Sequence, residues 1–273
     1  MERPVQFANG SEILRGILHE PDSDSDRPGV VFLHGWTGCR LGPHRMFVEM
    51  ARILAEDGFP SLRFDFRGRG ESDGKTPDAS IQSMVSDACV ASECLRAETG
   101  VKSVVLLGIC SGGKVALSAA GQIADAAGLV LWSCEPLGDL RTADVRLRKS
   151  ASALAIYARK LCRVETWRKL LTGRVNVGKV REAVLTSERP DDDERVWESE
   201  ALKRFGQFRG KALFVYGTRD PEAAPVDSRY REFCRTHGIV SSHYAVDGAN
   251  HSFYSLDWAD EVYRVTREWV NKR

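Results

Sequence analysis

The stretch SVVLLGICSGGKVALSAA, Ser103–Ala120, decides the fold of this 273-residue chain. Its first seven residues form a short unbroken apolar run, which predicts a strand buried on both faces of a sheet. Its last seven residues carry the apolar pattern of a buried helix. Gly108 and Gly112 flank Cys110, and their missing Cβ atoms allow the chain to reverse sharply between strand and helix. The stretch therefore predicts a strand–turn–helix unit that projects the Cys110 side chain above the sheet.

Strand and helix patterns alternate on both sides of this unit. The chain opens with a predicted hairpin, whose arms at 5–7 and 13–18 are joined by Asn9-Gly10. Further strands are expected at 29–33, 60–64, 128–134, 211–216 and 241–246, and helices at 43–57, 81–98, 226–236 and 258–270. This alternation predicts an α/β fold with a doubly wound, mostly parallel sheet, and ligands are expected beyond the carboxyl ends of its strands.

The strand pattern stops for a long central segment. We interpret 1–135 and 210–273 as one core domain and 136–209 as an inserted helical cap, or lid, because so long a connection inside a compact domain is rarely structureless. The cap is basic between 141 and 181, and the acidic run 191–194 follows. Two interpretations stay open: a solvated lid whose charges partly balance, or a basic face that docks an anionic acyl donor such as a phosphopantetheine carrier, coenzyme A or an acidic sugar.

The bulk composition narrows the class of protein. A formal net charge of +1 gives no global attraction for nucleic acid or membranes. Seven cysteines, an odd number without a CxxC pair, favour a reducing cytoplasm over a disulfide framework. The N-terminus lacks an apolar signal core, and no stretch approaches the roughly 20 apolar residues of a membrane span. The sequence therefore predicts a soluble, cytoplasmic protein that does not bind nucleic acid, and it leaves the oligomeric state open.

Three residues that are distant in sequence could form a catalytic triad. Asp220 follows the predicted strand at 211–216 and His251 follows the last strand, so the chain order is Cys110, Asp220, His251. This is the order nucleophile, acid, base that triads on such sheets follow. A helix N-terminus and a neighbouring histidine both favour the thiolate form of a cysteine, which is the reactive form. Glu135, at the end of the strand after Cys110, is the second candidate for the acid.

The oxyanion of an acyl-transfer intermediate also needs hydrogen-bond donors. The backbone N–H groups of Ser111, at the start of a helix, and of Trp36, in the loop after the strand at 29–33, are the expected pair. His34 is interpreted as a structural residue that shapes this loop, because His251 already fills the role of base. Ser111 is rejected as the nucleophile since that frame would put Ile109 at the position of the first glycine. No metal or organic cofactor is expected.

Several motifs resemble those of the α/β-hydrolase superfamily. HGWTG at 34–38 and RFDFRGRGESDG at 63–74 look like its serine aminopeptidase S33, or cinnamoyl-esterase-like, branch. A second set of motifs resembles hydrolases found with bacterial exosortase and exopolysaccharide systems. It consists of RLGPHR at 40–45, the sharp turn around Cys110 at 108–113, called the elbow, and WRKLLTGRVN at 167–176. The resemblance implies the fold and the triad but not the substrate. The cysteine in the elbow departs from the serine of ordinary esterases.

The chemistry expected of these residues is hydrolysis of an ester or thioester through an acyl-cysteine intermediate. The acyl substrate would be a small molecule or carrier-bound. Water, an alcohol or an amine could resolve the intermediate, so acyl transfer and lactone opening of the dienelactone type remain alternatives. A catalytically silent binding protein in polysaccharide assembly is the alternative of a different class. The remaining cysteines are interpreted as inert buried thiols, namely Cys39, Cys89, Cys94, Cys134, Cys162 and Cys234.

Overall fold

A computed structural model describes residues 1–22, 26–76, 79–140 and 192–272, without the side chains of 192 and 194. The strands are β1 (Glu2–Asn9), β2 (Glu12–His19), β3 (Gly29–Leu33), β4 (Ser61–Phe64), β5 (Val104–Ile109), β6 (Ala126–Trp132), β7 (Lys211–Gly217) and β8 (Val240–Val246). The helices are α1 (Met46–Glu56), α2 (Ile81–Thr99), α3 (Ser111–Ala120), α4 (Asp192–Phe205), α5 (Ala223–His237) and α6 (Leu256–Asn271).

The eight strands form one sheet in the order β1-β2-β4-β3-β5-β6-β7-β8. Strands β1, β2 and β4 pair antiparallel, and every pair from β4 through β3 to β8 is parallel. The chain thus alternates strands with helices, which confirms the predicted α/β fold with a doubly wound, mostly parallel sheet.

Both faces of the sheet are buried, which explains why its central strands read as unbroken apolar runs. Side chains alternate along β3: Val30 and Phe32 pack into a cluster with α1 and α6, whereas Val31 and Leu33 pack into a cluster with α2, α3, α4 and α5. Full burial of each such side chain contributes roughly 1.5–3 kcal/mol. The two clusters together hold the strand ends in a rigid frame.

The sheet changes direction between β3 and β5. The chain continues from β3 to β4 on one side, and returns to place β5 on the other side. In parallel sheets such a switch point leaves a crevice beyond the carboxyl ends of the two strands. Leu33 and Gly108 are register partners at that edge, so the loop after β3 and the residue after β5 meet there.

Most of the predicted cap, 136–209, lies outside the described residues. Of the described part, α4 packs against α3. Lys114 of α3 forms a buried ion pair with Glu198 of α4, whose other carboxylate oxygen accepts the Gly138 N–H at 3.2 Å. The basic stretch between 141 and 181 is not described, so its docking of an anionic acyl donor stays a prediction that salt dependence and charge reversal would test.

Candidate active site

The turn between β5 and α3 holds Cys110 in a strained conformation. Its φ of 58° and ψ of −125° lie where residues other than glycine rarely occur, and such strain costs about 1–3 kcal/mol. A Cβ atom at Gly108 would collide with the backbone carbonyl of Gly112, and one at Gly112 would collide with the carbonyl of Leu33. The glycines are therefore required because strand, turn and helix approach each other too closely for side chains. Cys110 ends up half-buried at the carboxyl edge of the sheet.

His251 and Asp220 form a hydrogen-bonded pair on neighbouring loops. Asp220 follows β7 and His251 follows β8, and His251 Nδ1 donates to Asp220 Oδ2 at 2.6 Å. The carboxylate is buried, and its second oxygen accepts the Glu222 N–H at 3.1 Å. Asp220 is therefore fixed on both sides, and the proton on Nδ1 leaves Nε2 of the imidazole to face the nucleophile.

The Cys110 sulfur lies close enough to the imidazole of His251 to affect the pKa of that ring. Burial lowers the pKa of His251, but the hydrogen bonds and charges of Asp220 and Cys110 outweigh burial and raise that pKa to about 10. The imidazole thus holds its proton at neutral pH when it faces a thiolate. The structure thus brings the three residues of the predicted triad together, with the Asp220 carboxylate orienting the His251 ring.

Glu135 provides a second carboxylate beside the sulfur. The Cys110 Sγ lies 3.6 Å from Glu135 Oε1, so a neutral thiol donates to Glu135 whereas a thiolate accepts from His251. The backbone of Glu135 is held by its carbonyl, which accepts from the Tyr230 hydroxyl at 2.8 Å. Ser133, two residues before Glu135, has a φ of 45° and directly follows β6, which ends at Trp132. Asp220, rather than Glu135, is bonded to Nδ1 of His251.

The loop after β3 passes directly against the nucleophile. A Cβ atom at Gly35 would lie 3.4 Å from the Cβ of Cys110. His34 shapes this loop: its Nδ1 donates to the Gly35 carbonyl at 2.8 Å, and its Nε2 accepts the Phe66 N–H at 3.2 Å. Burial lowers the pKa of His34 to about 4, so the ring is neutral. The structural interpretation of His34 is confirmed.

The two expected oxyanion donors meet where the loop after β3 passes the first residue of α3. The Ser111 N–H is the first of α3 and has no acceptor within the helix. The Trp36 N–H donates to the Ser111 hydroxyl oxygen at 2.7 Å. Both groups lie beside Cys110, and the Trp36 amide is engaged by a side chain in this state.

Arg69 is a residue of the site that the sequence did not single out. Its Nε donates to the Trp36 carbonyl at 2.7 Å, and its guanidinium carbon lies 4.9 Å from the centroid of the Trp36 ring. Nothing in the repeated Arg-Gly pattern at 67–70 distinguishes it from Arg67, which instead pairs with buried Asp87. Only the contact across loops reveals that Arg69 fixes the Trp36 peptide.

A shallow pocket, open to solvent, adjoins His251 and is lined by Glu135, Tyr216, Asp220 and His251 among others. Within the described part of the chain, no group of three or more His, Cys, Asp or Glu side chains could hold a metal ion. Of the described helices, none combines the length and apolarity needed to cross a bilayer.

The other described cysteines are free thiols, half-buried or buried. Burial raises the pKa of the thiols of Cys89, Cys94, Cys134 and Cys234, which makes them poor nucleophiles. Cys39 is half-buried. Cys162 lies outside the described residues.

Comparison with known proteins places this arrangement in context. A model of the alpha/beta hydrolase family matches residues 30–265. Lysophosphatidylserine lipase ABHD12 of Danio rerio is 30% identical over 39% of this chain and 27% of its own length. Protein ABHD12B of Homo sapiens is 34% identical over 34% of this chain and 24% of its own length. The matched part is thus about a quarter of those relatives.

Solved structures match almost the whole chain. A dienelactone hydrolase from Anabaena variabilis has a TM-score of 0.65 at 17% identity, covering 98% of this chain and 96% of that one. Est1E from Butyrivibrio proteoclasticus, solved with ferulic acid bound, has a TM-score of 0.66 at 16% identity, with 98% of each chain covered. An esterase of Pyrococcus furiosus has a TM-score of 0.71 at 18% identity, covering 100% and 91%. At these identities the likeness is one of fold.

Proposed function

Because this chain belongs to the alpha/beta hydrolase family, we propose that it cleaves an ester or thioester, with Cys110 as nucleophile, His251 as base and Asp220 as the acid that orients it. The observation that carries the proposal is the hydrogen bond from the His251 ring to the Asp220 carboxylate, with the Cys110 sulfur close to the same ring. One of the similar proteins is named a lipase and another an esterase, which supports an ester as the substrate.

Acylation begins with the thiolate. The sulfur attacks the carbonyl carbon, a C–S bond forms, and the carbonyl electron pair moves to oxygen. When the C–O or C–S bond of the substrate breaks, His251 gives its Nε2 proton to the leaving alcohol or thiol. The raised pKa of His251 supports this role. With a pKa of about 10, the imidazolium keeps its proton at neutral pH until it donates it to the leaving group.

Deacylation reverses these roles. Neutral His251 takes a proton from water, the resulting hydroxide attacks the thioester carbon, and the C–S bond breaks to release the carboxylic acid and restore the thiolate. The Ser111 N–H is proposed to stabilise the oxyanion of both tetrahedral intermediates, whereas the N–H of Trp36, the other donor expected from the sequence, is engaged by the Ser111 hydroxyl oxygen in this structure. No metal or organic cofactor has a part in these steps.

Alternative outcomes depend on what resolves the acyl-cysteine. An alcohol or amine in place of water would make the protein an acyltransferase, and a cyclic ester as substrate would make it a lactone hydrolase. The fold shared with a dienelactone hydrolase is compatible with lactone opening. The cytoplasmic location and the relationship to exosortase-associated hydrolases also stay predictions. A catalytically silent binding protein in polysaccharide assembly stays the alternative of a different class.

Mass spectrometry tests the proposal directly. The protein is incubated with p-nitrophenyl esters and acyl thioesters of several chain lengths and the modified residue is mapped. An acyl group on Cys110 that is absent from Cys110→Ala and retained in Cys39→Ala, a matched change at another half-buried thiol, supports it. If no chain length gives an adduct or turnover, the silent protein is favoured. Adding candidate alcohols and amines then identifies the acceptor.

A further inference from the structure

The hydroxyl of Ser111 lies between the two expected oxyanion donors. The Trp36 N–H points at Ser111 Oγ, 2.7 Å away, and the N–H of Ser111 itself is free of any helical acceptor. An amide has only one hydrogen to donate. In this state the Trp36 amide therefore acts on the hydroxyl oxygen and not directly on the place of an oxyanion.

The hydroxyl itself has a proton left to give. A serine hydroxyl has two lone pairs and one O–H. The Trp36 N–H occupies one lone pair, and in the contacts of the described residues that hydroxyl proton meets no acceptor. Ser111 is 4% exposed, so water does not readily compensate for it. A buried O–H without an acceptor, next to the nucleophile, is costly unless an acceptor arrives with the substrate.

Arg69 holds the residue whose N–H meets the Ser111 hydroxyl. It holds the carbonyl of Trp36 through Nε at 2.7 Å and lies over the indole ring at 4.9 Å. These two contacts hold the carbonyl and the side chain of Trp36 and so restrain the loop that places its N–H at Ser111. The hydroxyl hydrogen of Ser111 can still rotate about the Cβ–Oγ bond.

We propose that Ser111 supplies two donors to the oxyanion, its backbone N–H and its hydroxyl, and that Trp36 acts through that hydroxyl as a positioning residue. The inference rests on the proposed function, since an oxyanion must form. A hydroxyl that already accepts a hydrogen bond is polarised and donates more strongly, and a charged acceptor strengthens it further. The hydrogen bond from the Trp36 N–H to the Ser111 hydroxyl therefore strengthens the proposed hydrogen bond from that hydroxyl to the oxyanion.

Ser111→Ala tests the hydroxyl, with Ser111→Thr as the variant that keeps it. Loss of one oxyanion donor lowers kcat by about 10²-fold, and we expect Ser111→Ala to approach this with KM nearly unchanged. Ser111→Thr should recover most of the rate. The affinity for a trifluoromethyl ketone analogue of the substrate, which mimics the tetrahedral intermediate, should fall by the same factor as kcat/KM. A merely structural serine would alter KM or the melting temperature without that parallel.

Two results would overturn the inference. If Ser111→Ala is as fast as the wild type or faster, the hydroxyl only covers the Trp36 amide and the substrate normally displaces it. If kcat falls in Ser111→Ala while analogue affinity stays constant, the hydroxyl acts elsewhere than at the oxyanion. Both require a wild type that is acylated on Cys110, so failure of the proposed function is recognised beforehand by a wild type without adduct or turnover.

Discussion

Replacing Asp220 by Asn removes the charge that is hydrogen-bonded to Nδ1 of His251 at 2.6 Å. The same carboxylate accepts the Glu222 N–H at 3.1 Å through its other oxygen, so an asparagine can serve only one of the two donors. If its oxygen stays with Glu222, its NH₂ group faces Nδ1 and forces the proton onto Nε2. Neutral His251 then presents a donor to Cys110 and cannot act as the base.

The size of the effect follows from the contact that is lost. A hydrogen bond to a charged group contributes roughly 1.5–3 kcal/mol, which corresponds to roughly one to two pKa units at about 1.36 kcal/mol each. The His251 side chain is 41% exposed, so solvent screens the pair and we expect the lower end. The pKa of His251 should fall from about 10 by about one unit. The wrong tautomer adds a loss of about 10²- to 10⁴-fold in kcat.

The assay is the pH dependence of kcat/KM for Asp220→Asn and wild type on an alkyl ester, whose alkoxide leaving group needs a proton. His251 must be protonated to serve the leaving group, so activity falls as the pH rises through its pKa; the wild-type alkaline limb lies near pH 10 and that of the variant at lower pH. The free energy of unfolding also falls as the pH rises. A histidine whose pKa is raised from 6.5 to about 10 by folding stabilises the folded state fully below pH 6.5, and this contribution is lost as the pH rises through about 10. If Asp220→Asn keeps the kcat/KM and the alkaline limb of the wild type while Glu135→Gln abolishes activity, the acid of the triad is Glu135 and not Asp220.

Three further outcomes are expected. Glu135→Gln removes a negative charge 3.6 Å from the Cys110 sulfur and so favours the thiolate, and alkylation by iodoacetamide at pH 6 should become faster by a few fold. Lys114→Met removes the buried Lys114 partner of the Glu198 carboxylate, and we expect the free energy of unfolding in urea to fall by about 3–5 kcal/mol, most of which the double variant Lys114→Met with Glu198→Leu should recover. Gly112→Ala places a methyl group against the carbonyl that ends β3, and we expect about 1–3 kcal/mol of destabilisation by thermal unfolding and loss of acylation.

The sequence predicted the strands well where both of their faces are buried. The run at 211–216 became Lys211–Gly217, because a continuous apolar stretch has few other ways to bury itself. The strand expected at 128–134 is instead Ala126–Trp132, since Ser133 adopts a positive φ and the apolar run continues into a loop. The helix expected from 43 begins at Met46 because Pro43–Arg45 form a 3₁₀ turn with positive φ at His44.

The helix after Cys110 starts at Ser111, as expected, although its apolar pattern in the sequence begins only at Lys114. Two glycines of low helix propensity conceal the first turn of the helix. Glycine is required there by tertiary packing, because the backbone of β3 passes too close to Gly112 to leave room for a side chain. Propensity is local and weak, and packing between elements overrode it here.

The amino-acid sequence alone determined the alternation of buried strands with helices and the order Cys110, Asp220, His251, because periodicity and chain order are properties of the chain itself. Tertiary structure decided what those residues touch. The pairing of Asp220 with His251, the carboxylate of Glu135 at the sulfur, and the bond from the Trp36 amide to the Ser111 hydroxyl all join loops that are far apart in sequence. Such contacts depend on distances of a few tenths of an ångström across the sheet edge, which no local pattern encodes.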